Sequence, residues 1–569
     1  MVEHALGERD DHGGSGSSNA MLYLLTLLGC IGGLLFGYDT GIISGALPLI
    51  SDDFELDTVD KEFLVSLTVI GAFVGSVCAG SLGDYFGRRL VVMASSTTFT
   101  TGAILMGFAK NLGVLLLGRF TVGLGVGSAS MIVPLYLAEC APAEHRGMIV
   151  ACVNVNVAFG ELLASIVAAS YSDKEGGWRF MLGLAAIPAA IQFIGFFFFV
   201  PESPRFTLST GDVEKGKKAL QWLRRSADVD EELEQILSSL REEKDSIARE
   251  FLHDNAHSTD STTVTVVSAQ NPLPFKVDSS VGSVEYPNVE RNENCTISSI
   301  GSSGKSPSLW RLLQKPTTRR ALILGCCLQA GNQLAGINTV MYYGATIFTM
   351  SGTDTVTAIW LTMGLSACNF VGSSLSSYLQ DKVGRRTLTL YSMVGLSFGL
   401  VLIASAFWAT GGDTETNDNA SDNDSSSGGG LSSVKSGTWV VFSAICFYLL
   451  CFSVGMGSTP WTICAEIYPT SVRGAANSIT TGVNWAATFI MSMSFLSIVK
   501  AVGDGGAFLL YAAVSFSLYV MYLMYLPETK NIALEDVPAL FSESQWGKQR
   551  HSAGYGYGCV PEDDVRLER

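Results

Sequence analysis

The chain has 569 residues, of which 48% are hydrophobic and only 15% charged, with 60 glycines. A soluble protein of this length would divide into several domains and carry about 25% charged residues, so that class is excluded. The formal net charge is −16, and the basic residues are spread over short loops between apolar runs, which gives nucleic-acid binding no support.

Residues 1–20, MVEHALGERDDHGGSGSSNA, are polar and read as a cytoplasmic tail with no cleaved signal, so the first apolar run would act as a retained anchor. Windows of about 20 apolar residues then predict twelve spans: 21–48, 63–82, 90–110, 112–135, 148–170, 179–200, 321–343, 357–379, 388–410, 437–461, 474–497 and 506–526. This makes an all-α membrane protein with a first six-helix half over 21–200 and a second over 321–526. The first span contains FGYDTGIISGAL, which sets Asp39 deep in an apolar run. A carboxylate at that depth costs about 2.5–3.5 kcal/mol and is retained for a partner or a function.

Between the halves, 201–320 reads as a central cytoplasmic loop. Its start, DVEKGKKALQWLRR and VDEELEQILSSLREEKDSI, spaces apolar residues as in short amphipathic helices. Residues 253–308, rich in Ser, Thr and Asn, are predicted to be disordered. The Gly/Ser/Asp-rich loop 411–436 is predicted to be disordered and external, with a glycosylation acceptor at Asn419; the same pattern at Asn294 falls on the cytoplasmic side and should stay unmodified. Residues 527–569 read as a cytoplasmic tail. Arginines collect in alternate loops while SDDFELDTVDKE (51–62) and 410–430 are acidic, which puts both termini in the cytoplasm.

The twelve cysteines show no metal-like spacing, and all six histidines lie outside the spans. A histidine metal centre and a histidine proton relay inside the membrane are therefore excluded, as is an intramembrane hydrolase built on Ser/His. Proton chemistry in the spans must use carboxylates. No cofactor is expected.

The halves repeat one another. GSLGDYFGRR (80–89) matches SYLQDKVGRR (377–386), AECAPAEHRG (138–147) matches AEIYPTSVRG (465–474), and PESPR (201–205) matches PETK (527–530). Parallel six-helix repeats are the arrangement of the major facilitator fold, whose substrate site lies between the halves at mid-membrane. Asp84, Arg88, Arg89, Glu139, Arg146, Glu202 and Arg205, with Asp381, Arg385, Arg386, Glu466, Arg473 and Glu528 as duplicates, sit at predicted helix ends. Positive-inside anchoring alone needs the arginines but not the acids. Their joint recurrence predicts ion pairs that latch the two halves together on the cytoplasmic side, using the bidentate fit of Arg to carboxylate.

These motifs, with QLAGIN (333–338), resemble the sugar porter family of the major facilitator superfamily along all twelve spans. In the seventh span, Gln329, Asn332 and Gln333 share one helical face; Asn338 joins them only if the helix breaks at Gly336. Amides can serve as helix–helix glue, but four in eleven residues (328–338) suit a ring of hydroxyls better. Asn154, Glu161, Asn369, Trp461 and Asn484 are further candidates for substrate contact, Trp461 because an indole covers an apolar ring face. Gly455, Gly457 and Pro460 make the tenth span bendable. The resemblance implies sugar contacts at Asn154, Gln329, Gln333, Asn338, Asn369 and Trp461, and an external gate at Tyr342 and Tyr343.

Several positions depart from the family pattern: Asn154 and Asn332 stand where Gln is common, Glu161 where proton-linked members carry Gln, and Thr488 where an amide is common. FGYDTGIISGAL and GMGSTPW look most like the proton-coupled myo-inositol branch. Arg119, in LLGRFTVGLGVG, is the expected partner of Asp39, and the resemblance implies that this pair couples protons to transport; Glu161 is a reserve proton site. The expected protein is a monomeric proton and myo-inositol symporter of the plasma membrane. A hexose symporter, a facilitative uniporter and a non-transporting nutrient sensor are the alternatives.

Overall fold

A computed structural model gives the architecture of residues 20–142, 146–226, 228–241, 316–410, 436–468, 473–530 and 537–542. The predicted disordered segment 253–308, Asn294, Asn419, and the side chains of Arg146, Asp381 and Arg473 lie outside the described residues.

Every regular element among the described residues is a helix. The first half comprises α1 (Ala20–Phe54), α2 (Thr58–Phe86), α3 (Arg88–Gly107), α4 (Leu112–Cys140), α5 (Arg146–Tyr171), α6 (Gly177–Gly183) and α7 (Ala186–Phe199). Three short helices follow: α8 (Pro204–Ser209), α9 (Val213–Arg224) and α10 over 230–241. The second half comprises α11 (Pro316–Leu334), α12 (Ile337–Met350), α13 (Thr355–Val383), α14 (Arg385–Thr410), α15 (Ser436–Val454), α16 (Thr459–Glu466), α17 (Arg473–Val502) and α18 (Asp504–Tyr525), before a 3₁₀ turn at Val537–Phe541.

Among the described residues, eleven helical stretches are long and apolar enough to cross a membrane. The remaining predicted span, the seventh, is the pair α11 and α12, separated where Gly336 takes φ +90°, a left-handed value that glycine adopts without the Cβ penalty. The tenth predicted span also divides, at 455–458 between α15 and α16, as its two glycines and Pro460 suggest. Most helices outrun their apolar windows. α1 continues through Pro48 to Phe54, and α4 through Pro134 to Cys140. Polar residues set several starts: the carboxylates of Asp57 and Asp354 and the amide oxygen of Asn111 accept the amide three residues on, in α2, α13 and α4, satisfying an otherwise orphaned N–H. The Thr357 amide holds the Asp354 carboxyl below its usual value.

The two stretches with helical periodicity form α9 and, over its described part, α10, while α8 is not among the predicted elements. Leu208, Leu220, Val229 and Leu233 make a small apolar core of their own, and Arg224 ties it to the first half by donating to the Cys140 carbonyl at 3.1 Å. Among the described residues the two halves meet chiefly along three seams, α1 on α12, α2 on α17, and α5 on α13, with α1 also touching α13.

Candidate functional site

The glycines of FGYDTGIISGAL decide where Asp39 points. Gly33, Gly37 and Gly41 recur every four residues, and a Cβ on Gly37 would stand 1.8 Å from the Val157 carbonyl of α5. That face of α1 therefore lies against the α5 backbone, a small-residue contact of the kind membrane helices use. Asp39 sits two residues from Gly37 and from Gly41, about 200° round the helix, and so turns toward α4. There Arg119 donates from Nη1 to Asp39 Oδ1 at 2.7 Å and from Nε to the Leu64 carbonyl at 3.3 Å. The pair is nearly sealed, with Asp39 6% and Arg119 1% exposed. The expected contact is present.

The amides of the seventh span form one network. The Gly336 break brings Asn338 back to donate to Gln333 Oε1 at 2.6 Å. Gln333 Nε2 donates to Asn332 Oδ1 at 2.9 Å and to Asn484 Oδ1 at 3.3 Å. Asn484 Nδ2 in turn donates to Gln329 Oε1 at 2.9 Å. Asn332 donates to the Met456 carbonyl at 2.6 Å, which joins the network to the break between α15 and α16. Beside it, Trp485 packs on Phe36 of the first half at 5.5 Å between ring centroids, its indole N–H buried without a hydrogen-bond partner. Five predicted residues thus converge.

Glu161, Asn369 and Ser453 form a second group. Glu161 is 6% exposed on α5 and accepts from the Asn369 side-chain amide of α13; Asn369 accepts from the Ser453 hydroxyl of α15. This chain of bonds crosses from one half to the other. One turn along the same seam, Ser165 and Ser366 share a hydrogen bond of 2.6 Å. Two expected substrate contacts do not join either group. Asn154 lies two turns from Glu161 on the same face of α5, but it is exposed. Trp461 is half-buried near the start of α16. Of the two residues expected to form an external gate, Tyr343 has non-helical φ/ψ within α12 and donates to the Ser492 carbonyl at 2.7 Å, while Tyr342 is buried beside it.

At the end of the bundle that carries the repeated arginines, the expected ion pairs form, while the side chains of Arg146, Asp381 and Arg473 lie outside the described residues. Arg88 pairs with Glu139 and with Asp84, both at 3.2 Å, and Arg385 pairs with Glu466 at 3.2 Å. Glu202 accepts the Arg88 and Arg89 amides at 2.9 and 3.0 Å, and Glu528 accepts the Arg385 amide at 2.9 Å. These contacts tie helices within one half rather than latching the two halves together. The reason is electrostatic: each half supplies both signs of charge, and each glutamate after the last span lands on the free N–H groups of its own half's helix terminus. Arg89 and Arg386 cap helix ends, donating to the Phe197 carbonyl at 2.7 Å and the Leu523 carbonyl at 3.0 Å. Arg205 is exposed on α8.

Sequence reasoning missed Ser453 and Glu62. Hydroxyls in helices carry no distinctive pattern, and Glu62 reads as one more charge in an acidic loop although it is 1% exposed. Among the described residues no group of three or more metal-ligating side chains occurs.

The sequence profile of the family described as "Sugar (and other) transporter" matches residues 25–271 and 283–541. The human "Proton myo-inositol cotransporter" is 34% identical, with 92% of this chain and 82% of that protein aligned. "Probable inositol transporter 2" of Arabidopsis thaliana is 31% identical over 89% of each chain. In architecture the chain is similar to the xylose transporter XylE from E. coli in a partially occluded inward open conformation, with a TM-score of 0.66 at 21% identity, covering 90% of this chain and all of that one. A profile match over most of the chain and the helical architecture agree: the chain is a multi-pass membrane protein of the sugar transporter family with the major facilitator fold.

Proposed function

We propose that the protein carries myo-inositol or a closely related polyol into the cell together with protons, by alternating access and as a monomer. The observation that carries this reading is the sealed Asp39–Arg119 pair on α1 and α4, because α1 also packs on α12, directly after the amide network. Arg119 offsets the cost of an ionised Asp39, and a change in the spacing of α1 and α4 changes that balance. Protonation of Asp39 from outside removes the attraction to Arg119 and frees α1 relative to α4. A negative interior then assists entry by about 2.3 kcal/mol per charge per 100 mV.

Gln329, Asn332, Gln333, Asn338 and Asn484 bind the polyol hydroxyls, each amide offering both donors and an acceptor, with the Trp485 indole N–H as a further donor. Glu161 and Asn369 accept or donate from the other side of the seam. Asn154 and Trp461 contact the solute on its way to the arginine end, and Tyr342 and Tyr343 gate the opposite end. The names of the inositol-transporting relatives favour inositol over hexose. The plasma membrane, cytoplasmic termini and glycosylation of Asn419 complete the reading.

Uptake of labelled myo-inositol in a cell lacking its own transporters, competed with glucose at two external pH values, tests it. Uptake that rises as the medium is acidified and resists glucose supports the reading. Equal uptake at both pH values points to a uniporter, stronger competition by glucose to a hexose carrier, and no uptake to a sensor.

A further inference from the structure

Across the turn from α1 to α2, SDDFELDTVDKE (51–62) keeps Asp52, Asp53, Glu55, Asp57 and Asp60 exposed, whereas Glu62 is buried. Glu62 faces α17 of the other half. Its Oε1 accepts the Ser497 backbone N–H at 2.8 Å and its Oε2 accepts the Ser497 hydroxyl at 2.8 Å. Ser497 lies inside α17 (Arg473–Val502), so an amide within a helix donates to a carboxylate from the opposite half. One turn earlier, Ser492 shares a hydrogen bond of 3.0 Å with Ser66 of α2, and its carbonyl receives the Tyr343 hydroxyl of α12. Residues 492–497 of α17 are therefore held by both α2 and α12.

We propose that Glu62 is a positioning residue for alternating access: its carboxylate clasps α17 across the seam and must release Ser497 for the end away from the arginines to open. The proposal rests on the alternating-access reading above. Both partners of Glu62 are neutral donors, so the bonds to Ser497 are what compensate this buried carboxylate. Separating α2 from α17 exchanges those bonds for water, and their strength sets how much of the protein is closed at that end. A residue that only held the fold together would have no such directional effect.

Cysteine accessibility in the full-length protein, in membranes and on a cysteine-depleted background, provides the test. One reporter is Ile359→Cys: Ile359 is fully buried on α13, with its Cγ2 3.4 Å from where a Cβ on Gly45 of α1 would stand, at the same end as Glu62. The other is Ser478→Cys on α17 near the arginine end, where a Cβ on Gly80 would stand 3.6 Å from its hydroxyl. Glu62→Ala is expected to raise alkylation at the Ile359 position about tenfold, the shift that follows loss of a charge-assisted hydrogen bond, and to lower it at the Ser478 position. Ser497→Ala, which keeps the backbone N–H, should move both rates in the same directions by less, and it decides the matter if Glu62→Ala fails to reach the membrane. Unchanged rates in these variants, or a parallel rise at both ends, would overturn the proposal. Alkylation needs no solute, so the absence of myo-inositol uptake would count against the proposed substrate without touching the clasp.

Discussion

The interior of the first half and the seam between the halves treat buried acids differently. Inside the half, Asp39 meets a cation, with a short bond to Arg119 and almost no solvent. At the seam, Glu161 meets the Asn369 amide and Glu62 meets the Ser497 amide and hydroxyl, all neutral donors from the other half. An acid held by a cation of its own half can change protonation, and loosen two helices of that half, while the contact between the halves persists. An acid held across the seam can change partners only when the halves move. The first arrangement suits proton loading and the second suits conformational bias.

Removing Arg119 should break this contrast most severely. Arg119→Ala leaves Asp39 buried without compensation, a loss of about 3–5 kcal/mol for a broken buried pair, visible as a large drop in the unfolding temperature of the purified protein. Adding Asp39→Asn to that variant should restore much of the stability, since the uncompensated charge is then gone. Gln333→Ala comes next. Gln333 joins Asn332, Asn338 and Asn484, and losing one hydrogen bond of about 0.5–1.5 kcal/mol to the solute raises the KM for myo-inositol up to about tenfold, with the protein still folded.

Glu161→Gln sharpens the contrast at the seam. Because its partner is neutral, the amide can still accept from Asn369, and stability should change by less than about 1 kcal/mol, against the several expected at Arg119. A loss as large as that of Arg119→Ala would show that Glu161 is held by charge. Asp84→Asn should have the smallest effect. Asp84 is 72% exposed, and a surface pair contributes about 0–1 kcal/mol, so uptake and stability should stay near those of the unaltered protein.

Local order was legible in the sequence and partnership across the halves was not. The Gly336 break, the divided tenth span and the Asp39–Arg119 pair follow from residues whose cost in hydrocarbon or in a helix is high enough to demand one outcome. The glycine spacing of α1 even contains the direction of Asp39, because the same stripe that packs on α5 turns the carboxylate toward α4. The acid-and-arginine repeats were visible as well. Their pairing within each half was not, since a motif records which charges recur and not which copy they meet. Asn154 shares a face with Glu161 yet is exposed, because helical phase fixes direction around an axis but not the distance to the opposite half. Glu62 was hidden for a related reason: five exposed acids precede it, and only the approach of α17 separates it from them.

In the proposed cycle Asp39 carries the coupled proton. Its most direct test is Asp39→Asn in proteoliposomes, with myo-inositol followed both under an inward proton gradient and in counterflow exchange without one. The expected result is loss of gradient-driven accumulation with exchange retained, because the amide, like protonated Asp39, leaves α1 free to move against α4 but cannot release a proton. Accumulation against the myo-inositol gradient by Asp39→Asn would contradict it.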